Sequence, residues 1–188
     1  MKLSKAEDRF KWFLASILFA KRISAEIAKK TFRILVGEGL TTPKKIIYAG
    51  WHRLVEFLDS GGYARYDYST ASNILSIMND LLSKYGDLES IHEQATDPRD
   101  LEARLKQFRG VGPVCINIFL REFRGIWVKA KPAPSILAVE MSKVLAIPEF
   151  ERYESGLVRL RLEYCRKNRC YICPVKAFCS GGRTFIRG

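Results

Sequence analysis

Leu105-Lys106-Gln107-Phe108-Arg109-Gly110-Val111-Gly112-Pro113 sets two glycines around one apolar residue, with a proline where a new helix would begin. The spacing predicts a helix-hairpin-helix. Glycines let such a turn approach a phosphate closely, and they leave backbone N–H groups pointing outward at a helix N-terminus, whose dipole favours an anion. Arg109, Gly110, Val111 and Gly112 are therefore candidate contacts to a DNA backbone, of the kind that grips without reading sequence. A glycine-rich turn between two core helices is the plainer alternative. The apolar face of Leu101, Leu105 and Phe108 before the turn, the proline after it and the charge of the whole chain favour the DNA contact.

The rest of the chain has the same helical period. Phe10, Phe13, Leu14, Ile17 and Leu18 recur at helical spacing, and Ile23, Ile27, Ala28, Phe32 and Leu35 continue it past Lys21-Arg22, with Ser24 placed to cap the second helix. Thr41-Thr42-Pro43 starts a further helix carrying Ile46, Ile47 and Trp51; Leu54 to Leu58 suggests a short one closed by Gly61-Gly62. Tyr63, Tyr66 and Tyr68 then fall in an expected polar loop around Arg65 and Asp67, before an amphipathic helix over Thr70 to Tyr85 and another opened by Asp97-Pro98. No strand alternation, internal repeat or long linker is present, so the expected class is all-α and fully folded.

The chain of 188 residues carries 32 Lys and Arg against 20 Asp and Glu, a formal charge of +12. Self-repulsion of that size hinders compaction, so it points to a polyanionic partner, either nucleic acid or an anionic membrane. The longest apolar stretch, Trp12 to Ala20, is too short to span a bilayer, and acids at Glu7 and Asp8 are unlike a signal peptide. A soluble intracellular protein without signal peptide or membrane association is the expectation.

Four of the five cysteines, Cys165, Cys170, Cys173 and Cys179, form a C-x4-C-x2-C-x5-C array, too crowded for disulfides that staple distant segments. Four thiolates suit a 4Fe-4S cluster or tetrahedral zinc. A single consecutive loop with one C-x2-C pair favours iron-sulfur over zinc. Arg166, Lys167 and Arg169, between the first two ligands, would be presented on one surface as candidate DNA contacts. The fifth, Cys115, reads as a small buried residue.

In their order along the chain these parts resemble the endonuclease III and MutY family of helix-hairpin-helix DNA glycosylases, over nearly the whole length. The helix pair at 10–35, the glycine and tyrosine segment at 61–74, the hairpin at 101–123, the glycine and proline segment at 125–139 and the cysteine loop at 165–179 match that family's order. The resemblance implies a two-lobed helical HhH-GPD fold: a six-helix barrel lobe over 22–124, and an iron-sulfur cluster lobe combining 1–21 with 125–188. It further implies a base-excision-repair protein, cytoplasmic and nucleoid-associated. Such a protein would be a monomer on double-stranded, damaged or mismatched DNA, with one nucleotide flipped out.

The catalytic positions depart from that pattern. Where bifunctional members carry the Schiff-base lysine, two residues past the hairpin's last glycine, stands Val114. The family aspartate falls at Pro132 or Ala133, depending on a one-residue gap. The family also places more residues between its first two cysteines than the four here, and a glutamine near Lys21, where lysine favours phosphate contact. Relocated catalytic groups are sought among Asp67, Glu140, Lys129 and Lys131; Glu140 lies roughly 10 Å along a helix from the aspartate position, and Glu122 among surface arginines. His52 and His92 have no partner motif. A glycosylase, monofunctional rather than an abasic-site lyase, is expected if the chain is an enzyme. A noncatalytic or redox-responsive iron-sulfur protein that recognises damaged DNA is the alternative.

Overall fold

Helix starts fall where local chemistry puts them. In the computed structural model, which describes residues 2–180, Ser24 accepts the N–H of Ile27 at 3.2 Å, Thr42 that of Lys45 at 3.3 Å, Asp87 that of Ser90 at 2.8 Å, and Asp97 those of Arg99 and Asp100. Prolines 43, 98 and 113 each occupy a first turn, where a missing N–H costs nothing. The described residues form nine α-helices and no strand, which makes the class all-α. They are α1 (Ala6–Phe19), α2 (Ala25–Gly37), α3 (Pro43–Gly61, kinked at Gly50), α4 (Asp67–Lys84), α5 (Leu88–Gln94), α6 (Pro98–Lys106), α7 (Pro113–Arg121), α8 (Ile136–Val144) and α9 (Glu154–Leu160).

Contacts divide the chain into two units, 1–131 and 132–188. The first holds α1 to α7, of which six, α2 to α7, lie within 22–124. The resemblance groups residues 1–21 with the C-terminal third, whereas contacts count α1 with the first unit. Residue 1, and 181–188 at the end of the expected cluster lobe, lie outside the described residues.

The apolar stripe of α1 is buried along its length, Phe10, Phe13, Leu14, Ile17 and Leu18 included. Phe13 meets Phe119 of α7 edge-on with centroids 5.0 Å apart, and the Trp12 indole N–H donates to the Phe119 carbonyl at 3.3 Å. These two contacts tie the N-terminal helix to the hairpin's second helix. Gly61, at the end of α3, lies so close to α2 that a Cβ there would collide with the Thr31 side chain and stand 2.9 Å from its Cα. Trp51 of α3 stacks on Tyr68 of α4 at 5.4 Å and donates to Ser72 at 2.9 Å.

The segment read as a tyrosine-rich polar loop is shorter and less exposed than its composition suggests. Asp67 and Tyr68 already belong to the first turn of α4, and Tyr63 is buried. Burying a phenol requires a partner for its hydroxyl, and the Leu18 carbonyl at the end of α1 accepts it at 2.6 Å.

The second unit is smaller. Ala138 and Met141 of α8 pack with Leu157 and Val158 of α9. Arg161–Cys165 continues α9 as a single π-helical turn, a geometry that widens the helix and is frequent at functional sites. Short 3-10 turns at Cys170–Ile172 and Lys176–Phe178 follow.

Candidate nucleic-acid interface and cysteine loop

The hairpin is built from one buried side chain and a row of backbone groups. Val111 is buried and anchors the turn, while its neighbours Arg109 and Gly110 are exposed. Gly110 takes φ 82°, the left-handed region that side chains avoid, and the Val111 N–H closes back on the Phe108 carbonyl at 3.0 Å. The side of Gly110 where a Cβ would stand is filled by Asn73 of α4, whose amide nitrogen would be 2.6 Å from it. Gly112 caps α7 with no side chain, and the first N–H of α7 to find a carbonyl is that of Ile116, bonded to Gly112 at 3.0 Å. Among the described residues the N–H groups of Gly110, Gly112, Val114 and Cys115 meet no acceptor. Unmatched donors at the positive end of a helix dipole favour an anion.

Lys21, which follows α1, belongs to the same neighbourhood: its ammonium is close enough to Cys115, in the first turn of α7, to oppose the burial that pushes that thiol up to about 12. Cys115 is fully buried, as expected of it, and carries no reactive thiolate. Val114, where the resemblance would put a nucleophilic lysine, is 61% exposed.

Three of the four relocated catalytic candidates are held by other groups. Asp67 accepts the N–H of Tyr68 at 2.7 Å inside the first turn of α4. Glu140 pairs with Arg161 at 3.4 Å. The Lys129 ammonium donates to the carbonyls of His92 and Glu93 at 2.8 and 3.2 Å, and so closes the C-terminus of α5. Lys131 is exposed. Pro132 is buried and Ala133 exposed, so neither brings a titratable group to the aspartate position.

Two residues that sequence reasoning passed over carry structure here. Glu154 is 1% exposed, and its carboxylate accepts the Ser135 N–H at 2.8 Å, where the segment 131–135 enters α8. An acid from α9 thus serves the entry to α8. His92 lies face to face with Trp127 at 4.9 Å and accepts the Lys129 N–H, while the Trp127 indole donates to Glu89 at 3.1 Å and Glu89 also takes Arg9 at 2.6 Å. Burial first, and the Lys129 charge second, hold the His92 imidazole below its ordinary pKa. Neither residue gives a local signal, because its partner is remote in sequence.

The four cysteines are free thiols within reach of one another's charge: burial raises the Cys165 pKa most, Arg161 opposes it, and Cys170, Cys173 and Cys179 each raise it further. The Cys165 sulfur lies 3.8 Å from that of Met141. As a donor set, four thiolates with no competing oxygen or nitrogen fit a sulfur-ligated centre, which would relieve their mutual repulsion. Among the described residues, however, no three His, Cys, Asp or Glu side chains are drawn together as a single bound ion needs. Arg166, Lys167 and Arg169 are all exposed, beside exposed Tyr171 and Phe178. Among the described residues, no helix is long and apolar enough to cross a membrane.

No family model matches this chain, and no curated protein matches it.

Proposed function

We propose that this chain binds damaged duplex DNA through the 109–112 hairpin, as a base-excision protein of the endonuclease III-like type that has lost the lyase lysine. The observation that carries the reading is the row of four unmatched N–H groups around Gly110 and the N-terminus of α7, held in place by buried Val111 and flanked by exposed Arg109. Main-chain donors suit a phosphate oxygen without selecting a base. Lys21 near the same helix adds a cation, and the formal charge of +12 supplies long-range attraction.

Cys165, Cys170, Cys173 and Cys179 would hold a 4Fe-4S cluster, whose part would be to fix the loop presenting Arg166, Lys167 and Arg169. Serine at Cys170 and Cys173 is expected to lower bound iron and acid-labile sulfide together.

Single-turnover incubation with duplexes carrying uracil, thymine glycol, 8-oxoguanine, an alkylated purine or an abasic site tests the reading. Alkali-dependent breaks at one lesion establish a monofunctional glycosylase. Breaks without alkali would make Lys129 or Lys131 a lyase amine. The engagement of Lys129, Glu140 and Asp67 by other groups favours a second reading, recognition without turnover, for which the result is salt-sensitive binding and no product. Failure to bind any duplex at low salt overturns both.

A further inference from the structure

Residues 38–40, after α2, and one side of α3 enclose a cleft of about 860 Å³ in the first unit that shares no residue with the hairpin. Leu40, Ala49 and Phe57 line its apolar part, and Lys44, Lys45 and Arg53 are its cations. Tyr48 also lines it, yet is 94% exposed, so its ring packs on almost nothing of its own chain. A lone exposed aromatic is ordinary. One at the mouth of an apolar cleft, between two lysines and an arginine, has a surface on which to receive a flat ligand.

The charges discriminate further. Arg53 is already engaged, 3.7 Å from Glu38 and over the Phe57 ring at 5.1 Å. Lys44 and Lys45 have no carboxylate partner among the described residues, so two adjacent cations remain for an outside anion. A ring free on its faces, an apolar floor and unpaired lysines match a base and its flanking phosphates. Duplex bases are stacked and paired, which withholds their faces from Tyr48. We infer that the Lys44–Tyr48–Arg53 cleft binds single-stranded DNA by stacking a base on Tyr48 and placing the neighbouring phosphates on Lys44 and Lys45. Recognition of this kind is tolerant of sequence, because every base offers a π-face. It does not rest on the hairpin reading.

The test uses the full chain and a fluorescent oligo-dT of about 12 nucleotides, a length within the usual range of single-strand sites. The readout is anisotropy, beside a fully paired duplex. Tyr48→Ala should weaken oligo-dT binding about tenfold with the melting temperature and duplex affinity unchanged, and Tyr48→Phe should restore it. The Lys44→Ala, Lys45→Ala pair should also weaken it and lower the salt slope by about 1.4, some 0.7 for each phosphate lost. Arg109→Ala should affect the duplex and spare oligo-dT, so the two surfaces fail separately. Equal oligo-dT affinity in wild type and Tyr48→Ala overturns the inference. So does displacement of oligo-dT by poly-glutamate with the same dependence on Tyr48, which would assign the cleft to an acidic polypeptide.

Discussion

Alanine at Gly110 tests the hairpin at its most constrained point. Two separable penalties apply there. The first is conformational: φ 82° is a region in which an added Cβ costs about 1–2 kcal/mol. The second is steric, because that Cβ would stand 2.6 Å from the Asn73 amide nitrogen and 3.0 Å from Asn73 Cγ. The obstacle is the end of a side chain, so Asn73 can swing aside, and the expected coupling is about 0.5–1 kcal/mol. Gly110→Ala should therefore destabilise by about 1.5–3 kcal/mol, a fall of about 3–12 °C in melting temperature for a protein of this size. In an Asn73→Ala background the same substitution should retain only the conformational part. Calorimetry on the four proteins of this double-mutant cycle gives both numbers. Duplex affinity should fall as well, since the N–H row turns with the backbone. A Gly110→Ala protein that melts like wild type would refute the left-handed turn; an unchanged cost in the Asn73→Ala background would refute the packing of α4 on the hairpin.

Glu154→Ala removes a buried acceptor and strands the Ser135 N–H, so α8 should lose about 1–3 kcal/mol of protection, read by hydrogen exchange of its amides, with Glu154→Gln milder. Gly61→Ala meets the backbone of Thr31 as well as its side chain, and urea melts should show a loss of about 1–3 kcal/mol. The His92 pKa is depressed on folding, so the unfolded chain binds the proton more readily: the stability His92 contributes is present above its ordinary value of 6.5 and lost as pH falls through the lowered one. Melts from pH 7.5 to 5 should therefore fall more steeply for wild type than for His92→Gln, and parallel curves would remove His92 from the account.

How much of this was legible in the sequence depends on how local each interaction is. Ser24, Thr42, Asp97 and the three first-turn prolines act on N–H groups within a few residues, so the boundaries they set are readable in advance. The Gly110-Val111-Gly112-Pro113 turn is readable for the same reason, because its geometry requires those residue types. Tyr63 was misread since an aromatic between polar residues gives no hint that Leu18, 45 positions earlier, will take its hydroxyl. Glu154 was invisible because an acid at the start of an amphipathic helix is ordinarily solvated, and the approach of Ser135, 19 residues away, gives its buried oxygen a donor. Lys129 looked like a free amine until the fold brought the end of α5 to it.

Val114 separates gripping from chemistry. A hairpin that holds a phosphate with main-chain groups, as proposed, would keep that grip whatever side chain stands at 114, while the lyase reaction of the resembled family needs an amine there. Being 61% exposed, Val114 contributes little packing, so the amine can be lost or regained with little effect on the fold. Val114→Lys should accordingly fold, at a cost of about 0.3–1 kcal/mol for a cation in the first turn of α7. Duplex affinity should be kept or slightly raised. Borohydride added during incubation with an abasic duplex then asks whether the surroundings are still those of a lyase. A covalent adduct in Val114→Lys, absent from wild type, would show that only the amine is missing and that the hairpin presents the sugar at reacting distance. Undiminished binding with no adduct would mean that the sugar never reaches position 114, and the resemblance would then extend to the grip on DNA and not to the pocket.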